Sequence, residues 1–257
     1  MAKVSSHGGH DEKVQGANWG DRKEHVMDRQ CNADFINKLR ALGHDVKNDT
    51  DDLGTTASMI VNNQVRNINS RYNDVGFAWH LNASDTTGHG VEVLCYSEKE
   101  LPMAHKISAE IAKRTGWRNR GGKIRNDLGV IRSTACPVFL IEAGFIDNDS
   151  DMAKWNVDKI TSAVIFAYFG QETSGGSNNN TGGAAKMWVM RTGGLGVPFA
   201  QEMMDKLAEF NVTGKLVYQG QGIFYLETNP VADRNQLGAI HWYCKDYKGW
   251  YVELLEV

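Results

Sequence analysis

A chain of 257 residues with 41% hydrophobic and 23% charged residues and only 4 prolines reads as globular, either one large domain or two unequal ones. Lys plus Arg number 28 against 31 Asp plus Glu, a net charge of -3, so no polyanion-wrapping surface is expected and nucleic acid is excluded as the first partner. No apolar run approaches the roughly 18 residues of a membrane span, so membrane insertion is not expected.

The opening Met-Ala-Lys-Val-Ser-Ser-His-Gly-Gly-His has no apolar stretch after Lys3, which predicts no secretory signal peptide and accumulation in the cytoplasm. Helical spacing then runs from Glu24 to Leu42, with Met27, Phe35, Ile36, Leu39 and Leu42 on related faces and Gly43 as the stop. An extended segment is expected at Val46, a short buried strand at Val75 to Leu81, and an alternating strand at Gly90 to Tyr96. Met103 to Arg114 reads as a helix ending before Gly116, Pro137 to Ile141 as a compact apolar strand, and Lys159 to Phe169 as an amphipathic helix. Strands alternating with helices predict an α/β fold, a mainly parallel twisted sheet flanked by helices.

Residues 173–186 are polar and rich in Gly and Asn with no large apolar side chain, the composition of a flexible linker between domains at 1–172 and 187–257. The last part holds 11 of the 24 aromatics, which a small domain needs first for its core. Its predicted order is a strand at Met187 to Met190, a helix at Pro198 to Phe210, strands at Lys215 to Gln219 and Ile223 to Glu227, a helix at Ala232 to Tyr247 and a strand at Trp250 to Leu255. That is a small α+β βαββαβ domain of ferredoxin-like type. Thr-Gly-Gly-Leu-Gly-Val after its first strand lacks the full dinucleotide-binding spacing and reads as a turn. Cys31, Cys95, Cys136 and Cys244 form no Cys-x-x-Cys pair and are expected reduced and partly buried.

Three residues stand where side chains can converge above the carboxyl edge of a sheet. His10 follows the first possible strand, Glu24 opens the first long helix, and His80 closes the strand Val75 to Leu81. Two imidazoles and one carboxylate suit zinc with a fourth position left to water. Spacing alone equally allows each to be a surface or locally hydrogen-bonded residue. Glu142 ends a strand that is otherwise apolar, where an ionised group is costly unless it is paired or given chemical work. It could serve as general base and acid beside a metal, or pair with an Arg such as Arg120 or Arg132.

Taken together, Gly-His10-Asp-Glu-Lys-Val-Gln-Gly-Ala, Glu24 with Gly43-His44-Asp-Val nineteen residues later, His80-Leu-Asn-Ala, Asn-Arg120-Gly-Gly-Lys and Leu-Ile-Glu142-Ala-Gly-Phe-Ile-Asp-Asn resemble the zinc-dependent N-acetylmuramoyl-L-alanine amidases, the cell-wall hydrolases of bacterial autolysins and phage endolysins. The resemblance spans nearly all of residues 1–172. It implies that His10, Glu24 and His80 hold zinc, one ion per catalytic domain, and that Glu142 is the catalytic carboxylate. It implies attack by activated water on the amide joining the lactyl group of N-acetylmuramic acid to L-alanine in bacterial peptidoglycan. Within the same motifs Asn82 and Arg120 become candidate substrate-binding residues. Many members read Gly-His-Gly-Gly at the first ligand, which would select His7. The spacing of six residues to Gly16 selects His10 and leaves His7 as its neighbour. His25 remains a conceivable substitute for Glu24, while His25, His44, His89 and His105 match no ligand position and are expected to face solvent.

The resemblance also points to a phage or prophage endolysin that waits in the host cytoplasm until a holin releases it to the wall. A tethered second domain raises the local concentration of a catalyst on a polymer, so residues 187–257 are expected to bind the cell wall. Sugars are held by aromatic faces, which nominates Trp188, Tyr218, Tyr225, Trp242, Tyr243, Trp250 and Tyr251, although core packing is the more common use of each. Met187 follows a Gly-Gly-Ala-Ala-Lys stretch that could be encoded by a ribosome-binding sequence, so a separately translated C-terminal domain starting at Met187 could associate with the full chain. A zinc peptidase of the stem peptide, or an inactive wall-binding protein retaining the fold, are the alternative functions.

Overall fold

The computed structural model describes residues 1–173, 187–210, 212–231 and 237–257. The chain divides into two compact units, Met1–Gly175 and Gly176–Val257. In the first unit the elements are β1 (Lys3–Gly8), the short hairpin β2 (Asn18–Trp19) and β3 (Arg22–Lys23), α1 (Glu24–Ala41), β4 (Asp45–Asn48), α2 (Ala57–Asn69), β5 (Val75–Asn82) and β6 (Val91–Cys95). They continue with α3 (Leu101–Thr115), β7 (Asn119–Ile124), α4 (Gly129–Arg132), β8 (Val138–Phe145), α5 (Asp149–Met152) and α6 (Val157–Phe169).

The sheet order is β4-β1-β5-β8-β6-β7. Strands β4, β1, β5 and β8 run parallel, β6 is antiparallel to β8, and β7 is parallel to β6. The reversal follows from the chain: residues 83–90 between β5 and β6 contain no helix, and a connection without one returns in the opposite direction. The sheet is covered on both faces. Phe35, Leu39, Phe77, Trp79, Ile107, Phe139, Ile141 and Ile160 join α1, α3 and α6 to one side. Alternate residues Ala78, Leu94, Val138 and Leu140 face the other, against Ile68 of α2 and Val130 and Ile131 of α4. That second cover is thinner, and the same alternation sends His80, Glu142 and Glu92 to it, at the end of the strands.

Helix α2 is absent from the sequence-based reading although Val61, Val65 and Ile68 recur at i, i+4 and i+7; of its residues only Ile60, Gln64 and Ile68 are buried. Strand β7, Asn-Arg-Gly-Gly-Lys-Ile, has no alternation either and exists through its parallel ladder to β6. Helices α1 and α6 are clamped by buried Lys38, whose ammonium lies 2.7 Å from Asp34 and 2.7 Å from Asp158 and donates to Thr161 and Ser162 at 2.9 and 3.0 Å. Removing one partner of a buried pair leaves the other charge uncompensated. Lys38→Met is therefore expected to cost about 3–5 kcal/mol in denaturant unfolding; an unchanged midpoint would show that the clamp contributes nothing.

The second unit comprises β9 (Trp188–Thr192), β10 (Leu195–Gly196), a single 3₁₀ turn at Val197–Phe199, α7 (Ala200–Glu209), β11 (Gly214–Gly220), β12 (Ile223–Thr228), α8 (Gly238–Trp242) continuing as a π turn over Tyr243–Tyr247, and β13 (Val252–Glu256). Its sheet is antiparallel throughout, with β12 between β9 and β11, β10 extending the β9 side, and β13 outside β9. This is the βαββαβ arrangement. The expected helix start at Ala232 and the linker beyond Thr173 fall outside the described residues. Met190, Met203, Leu207, Leu226, Leu237, Ile240 and Cys244 form the buried centre. All four cysteines are free and buried. Among the described residues no helix is long and apolar enough to cross a membrane.

Candidate active site

The first turn of α1 has no side-chain cap on Lys23. Its orphan amides are met instead by the preceding loop, Glu24 N–H donating to Ala17 O at 2.9 Å and His25 N–H to Gln15 O at 3.3 Å. The Glu24 carboxylate is fixed by two further backbone donors, Ala17 N–H to Oε2 at 2.7 Å and Leu81 N–H to Oε1 at 3.0 Å. Oε1 also stands 3.4 Å from His10 Nε2 and 3.2 Å from His80 Nδ1. His10 is held from behind, its Nδ1 3.2 Å from Val14 O and its backbone N–H donating to buried Asp28 at 3.0 Å. The two rings meet edge to face with centroids 5.0 Å apart.

Close packing here depends on two glycines. A Cβ at Gly9 would lie 1.9 Å from His80 Cε1 and 2.1 Å from its Nε2. One at Gly16, whose φ is +70°, would lie 2.4 Å from Glu24 Oε2 and 2.6 Å from His10 Cδ2.

The cluster is built to hold positive charge. Burial raises Glu24, but hydrogen bonds from His10 and His80 outweigh it and keep the carboxyl far below its usual range. Burial lowers His80, yet the Glu24 hydrogen bond and charge lift it to about 9. The donor atoms of His10, Glu24 and His80 all lie within 4.8 Å of one another, the one such group of metal-ligating side chains among the described residues. Ligands of a tetrahedral zinc at about 2.0–2.1 Å stand about 3.3 Å apart, close to the 3.2 and 3.4 Å separations found. The carbonyl at His10 Nδ1 turns the other ring nitrogen inward, as an outer partner of a metal-bound imidazole does. These three residues therefore fit zinc in donor type, spacing and charge.

Glu142 lies beside them. In the sheet register His80 of β5 faces Glu142 of β8, which faces Glu92 of β6. No hydrogen bond or ion pair reaches the Glu142 side chain among the described residues, so the alternative of a pair with Arg120 or Arg132 is not realised. Burial pushes its carboxyl up to about 7, His80 opposing and Glu24 and Glu92 adding to the rise. A carboxyl poised near neutrality, unpaired, next to a cation site can take up and release a proton.

Asn82 and Arg120 converge on Glu92 instead, Asn82 Nδ2 donating at 3.3 Å and Arg120 Nε at 2.5 Å, with Lys123 Nζ adding a contact at 2.6 Å. Neither Glu92 nor Lys123 was singled out by the sequence-based reading. The signal for Glu92 was present, since it is the lone carboxylate in the buried run Val-Glu-Val-Leu-Cys, the pattern that marked Glu142. Lys123 has none, because β7 is not legible as a strand.

The cluster contains His10 and leaves out His7, which lies in β1, fully buried, with both ring nitrogens unpartnered; burial lowers its imidazole to about 3 and keeps it neutral. His25 is not solvent-facing as expected but 3% exposed, because α1 turns that side onto the loop before it. His44 is also part-buried, accepting from Ala2 N–H and bonding Gln171. His89 and His105 are exposed. Tyr243 is buried, Trp188, Tyr225, Trp242 and Trp250 are half-buried, and Tyr218 and Tyr251 are exposed. Trp250 stacks edge to face on Phe199 at 5.2 Å, and Arg191 lies over Tyr225 at 5.3 Å.

Residues 4–169 match the model of a family described as N-acetylmuramoyl-L-alanine amidase. An uncharacterized cell wall amidase of Bacillus anthracis is 31% identical over 118 residues, 42% of this chain and 20% of the relative. A probable cell wall amidase, LytH, of Staphylococcus epidermidis is 30% identical over 93 residues, 36% of this chain and 31% of the relative. The chain thus spans a third or less of the length of these curated relatives. Among solved structures, the catalytic domain of the CD27L endolysin targeting Clostridia difficile is 26% identical with a TM-score of 0.61, covering 67% of this chain and 99% of that one. An N-acetylmuramoyl-L-alanine amidase from Clostridium difficile 630, 22% identical with a TM-score of 0.56 over 66% of this chain and 95% of the other, shares the fold.

Proposed function

This chain belongs to the N-acetylmuramoyl-L-alanine amidase family, and from that premise we propose that it hydrolyses bacterial peptidoglycan at the amide between the lactyl group of N-acetylmuramic acid and L-alanine. The observation that carries the proposal is the His10, Glu24 and His80 cluster with an unpaired, half-buried Glu142 in register beside it. Zinc held by those three residues would supply Lewis acidity, polarising the scissile carbonyl and making water nucleophilic at neutral pH. Glu142 accepts the proton of the attacking water and returns it to the leaving amine of L-alanine, which balances the reaction as one amide and one water become a carboxylate and an ammonium. Leu81 and Ala17 amides keep the Glu24 carboxylate from rotating away, and Asn82 and Arg120 line the approach on the Glu92 side.

The setting we favour is a phage or prophage lysin, because the 26% identity extends over 99% of the catalytic domain of an endolysin. Such a protein acts on the wall after release from the host cytoplasm. Residues 187–257 would then anchor it, with exposed Tyr218 and half-buried Trp188, Tyr225, Trp242 and Trp250 as sugar-stacking faces. Met187 pairs with Val257 at the edge of the small sheet, N–H to O distances being 3.2 and 2.9 Å. A product translated from Met187 would therefore keep every strand of that unit and could associate with the full chain. The reaction is tested by digesting purified peptidoglycan and reading the fragments by mass spectrometry. Intact stem peptides with a free L-alanine amino group are expected; new amino groups only within the stem would replace the amidase with a peptidase.

A further inference from the structure

Arg120 is gripped from two sides. Its Nε contacts Glu92 at 2.5 Å, its guanidinium lies 4.9 Å over the Phe145 ring, and the two terminal nitrogens of its fork have no partner among the described residues. Lys123 Nζ reaches the same Glu92 oxygen at 2.6 Å and is 44% exposed in its side chain. Two cations on one 9%-exposed carboxylate leave a surplus of one positive charge at the rim of the site. Arg120 sits in the bulge where β7 pairs with β6, since Val91 faces Asn119 and Glu92 already faces Gly121. A bulge re-aims the side chain it carries.

The register fixes what this charge can meet. Across the sheet the order is His80, Glu142, Glu92 and then β7, so Glu142 separates the metal cluster from the cation pair. If Glu142 protonates the leaving amine, the peptide half of the substrate departs from Glu142 toward β6 and β7, and the glycan half lies toward the other side. The lactyl carboxyl is consumed in the scissile amide, so free carboxylates belong to the peptide half. Two strand spacings are about 10 Å, and an extended peptide advances about 3.4 Å per residue, which places the cations opposite the second or third residue of the stem.

We propose that Arg120 and Lys123, positioned by Glu92, form a subsite for a free carboxylate carried by the second or third residue of the stem peptide. The proposal rests on the amidase reading, because it takes the direction of the substrate from the role of Glu142. Arg is suited to this use, since its planar fork can meet a carboxylate with two parallel N–H donors while Nε stays on Glu92. Glu92 acts as a positioning residue: it touches the cations and not the substrate.

The test uses the full zinc-loaded chain and synthetic muramoyl tripeptides in which the carboxylates of the second and third residues are converted singly to carboxamides. For the native chain, one such conversion is expected to lower kcat/KM about ten- to hundredfold, the range of a lost charge-assisted contact. In Arg120→Met the free and amidated substrates should become nearly equal, with the loss mainly in KM. Lys123→Met, on the exposed rim, should narrow the preference without affecting folding, and Glu92→Gln should narrow it while raising KM for the free carboxylate. Equal losses of Arg120→Met on every substrate, or no effect of amidation on the native chain, would overturn the subsite. Failure of the native chain to release L-alanine-terminated peptide from any of them would strike the amidase reading itself.

Discussion

Glu142→Gln is expected to lower peptidoglycan turnover by about 10²–10⁴-fold, the usual contribution of a positioned acid or base, while zinc content and fold are retained. The substitution keeps shape and removes only the ability to carry a proton. No ion pair reaches Glu142 among the described residues, so its loss strands no buried partner charge of the kind Lys38→Met leaves behind. Metal analysis beside a turbidity assay reads both halves at once, and native lysis by the variant would remove the assigned role. The pH profile supplies a second check. Burial raises the Glu142 carboxyl to about 7, and the ionised form is the one that accepts a proton. Activity is therefore present above that pKa and lost as pH falls through it. A bound cation draws the value down, so the ascending limb of kcat/KM should lie at or below about pH 7 and vanish in Glu142→Gln. For stability the sign reverses. A carboxyl raised in the folded state costs stability when it ionises, so the metal-free chain should lose stability between the ordinary 4.5 and about 7, and Glu142→Gln should suppress that loss.

Glu24→Ala and Gly9→Ala should both abolish stoichiometric zinc binding, by different routes. Glu24 gives the only anionic donor of the cluster and is the point to which His10 and His80 both turn. Gly9 gives no donor at all, but a methyl group there would stand 1.9 Å from the His80 ring and push it from the cluster. Changes to the outer partners of a metal site weaken binding about 10–100-fold, and displacement of a ligand should exceed that. Zinc measured against a competing chelator checks the expectation. Chelator treatment of the native chain should stop lysis, and added zinc should restore it. Retained zinc in Gly9→Ala would show that the ring does not need the space the glycine leaves.

The two units differ in how openly the chain declares them. In the first, long apolar periods at α1, β5, α3, β8 and α6 exposed the alternating α/β order, because those elements bury continuous faces. Two elements were passed over: α2, whose Val61, Val65 and Ile68 do recur at helical spacing in a segment otherwise rich in Asn, and β7, whose Arg-Gly-Gly-Lys centre has no alternation and is held by its ladder to β6. The direction of β6 was legible in the short connection at 83–90, which has no crossover helix, but not in the strand itself, since apolar alternation is the same in parallel and antiparallel strands.

The site divides along the same line. Sequence by itself determined the α/β order and the polar stretch between two bodies, because apolar periodicity and composition are local properties; it nominated His10, Glu24, His80 and Glu142 only through the family resemblance, since their spacing alone left other uses open. Only the tertiary structure decided that His7 is fully buried with unpartnered ring nitrogens while His10 meets Glu24, that Arg120 serves Glu92 rather than Glu142, and that Glu92 and Lys123 belong at the rim. Those are outcomes of strand register and loop closure, which join residues separated by tens of positions and leave no trace in local pattern.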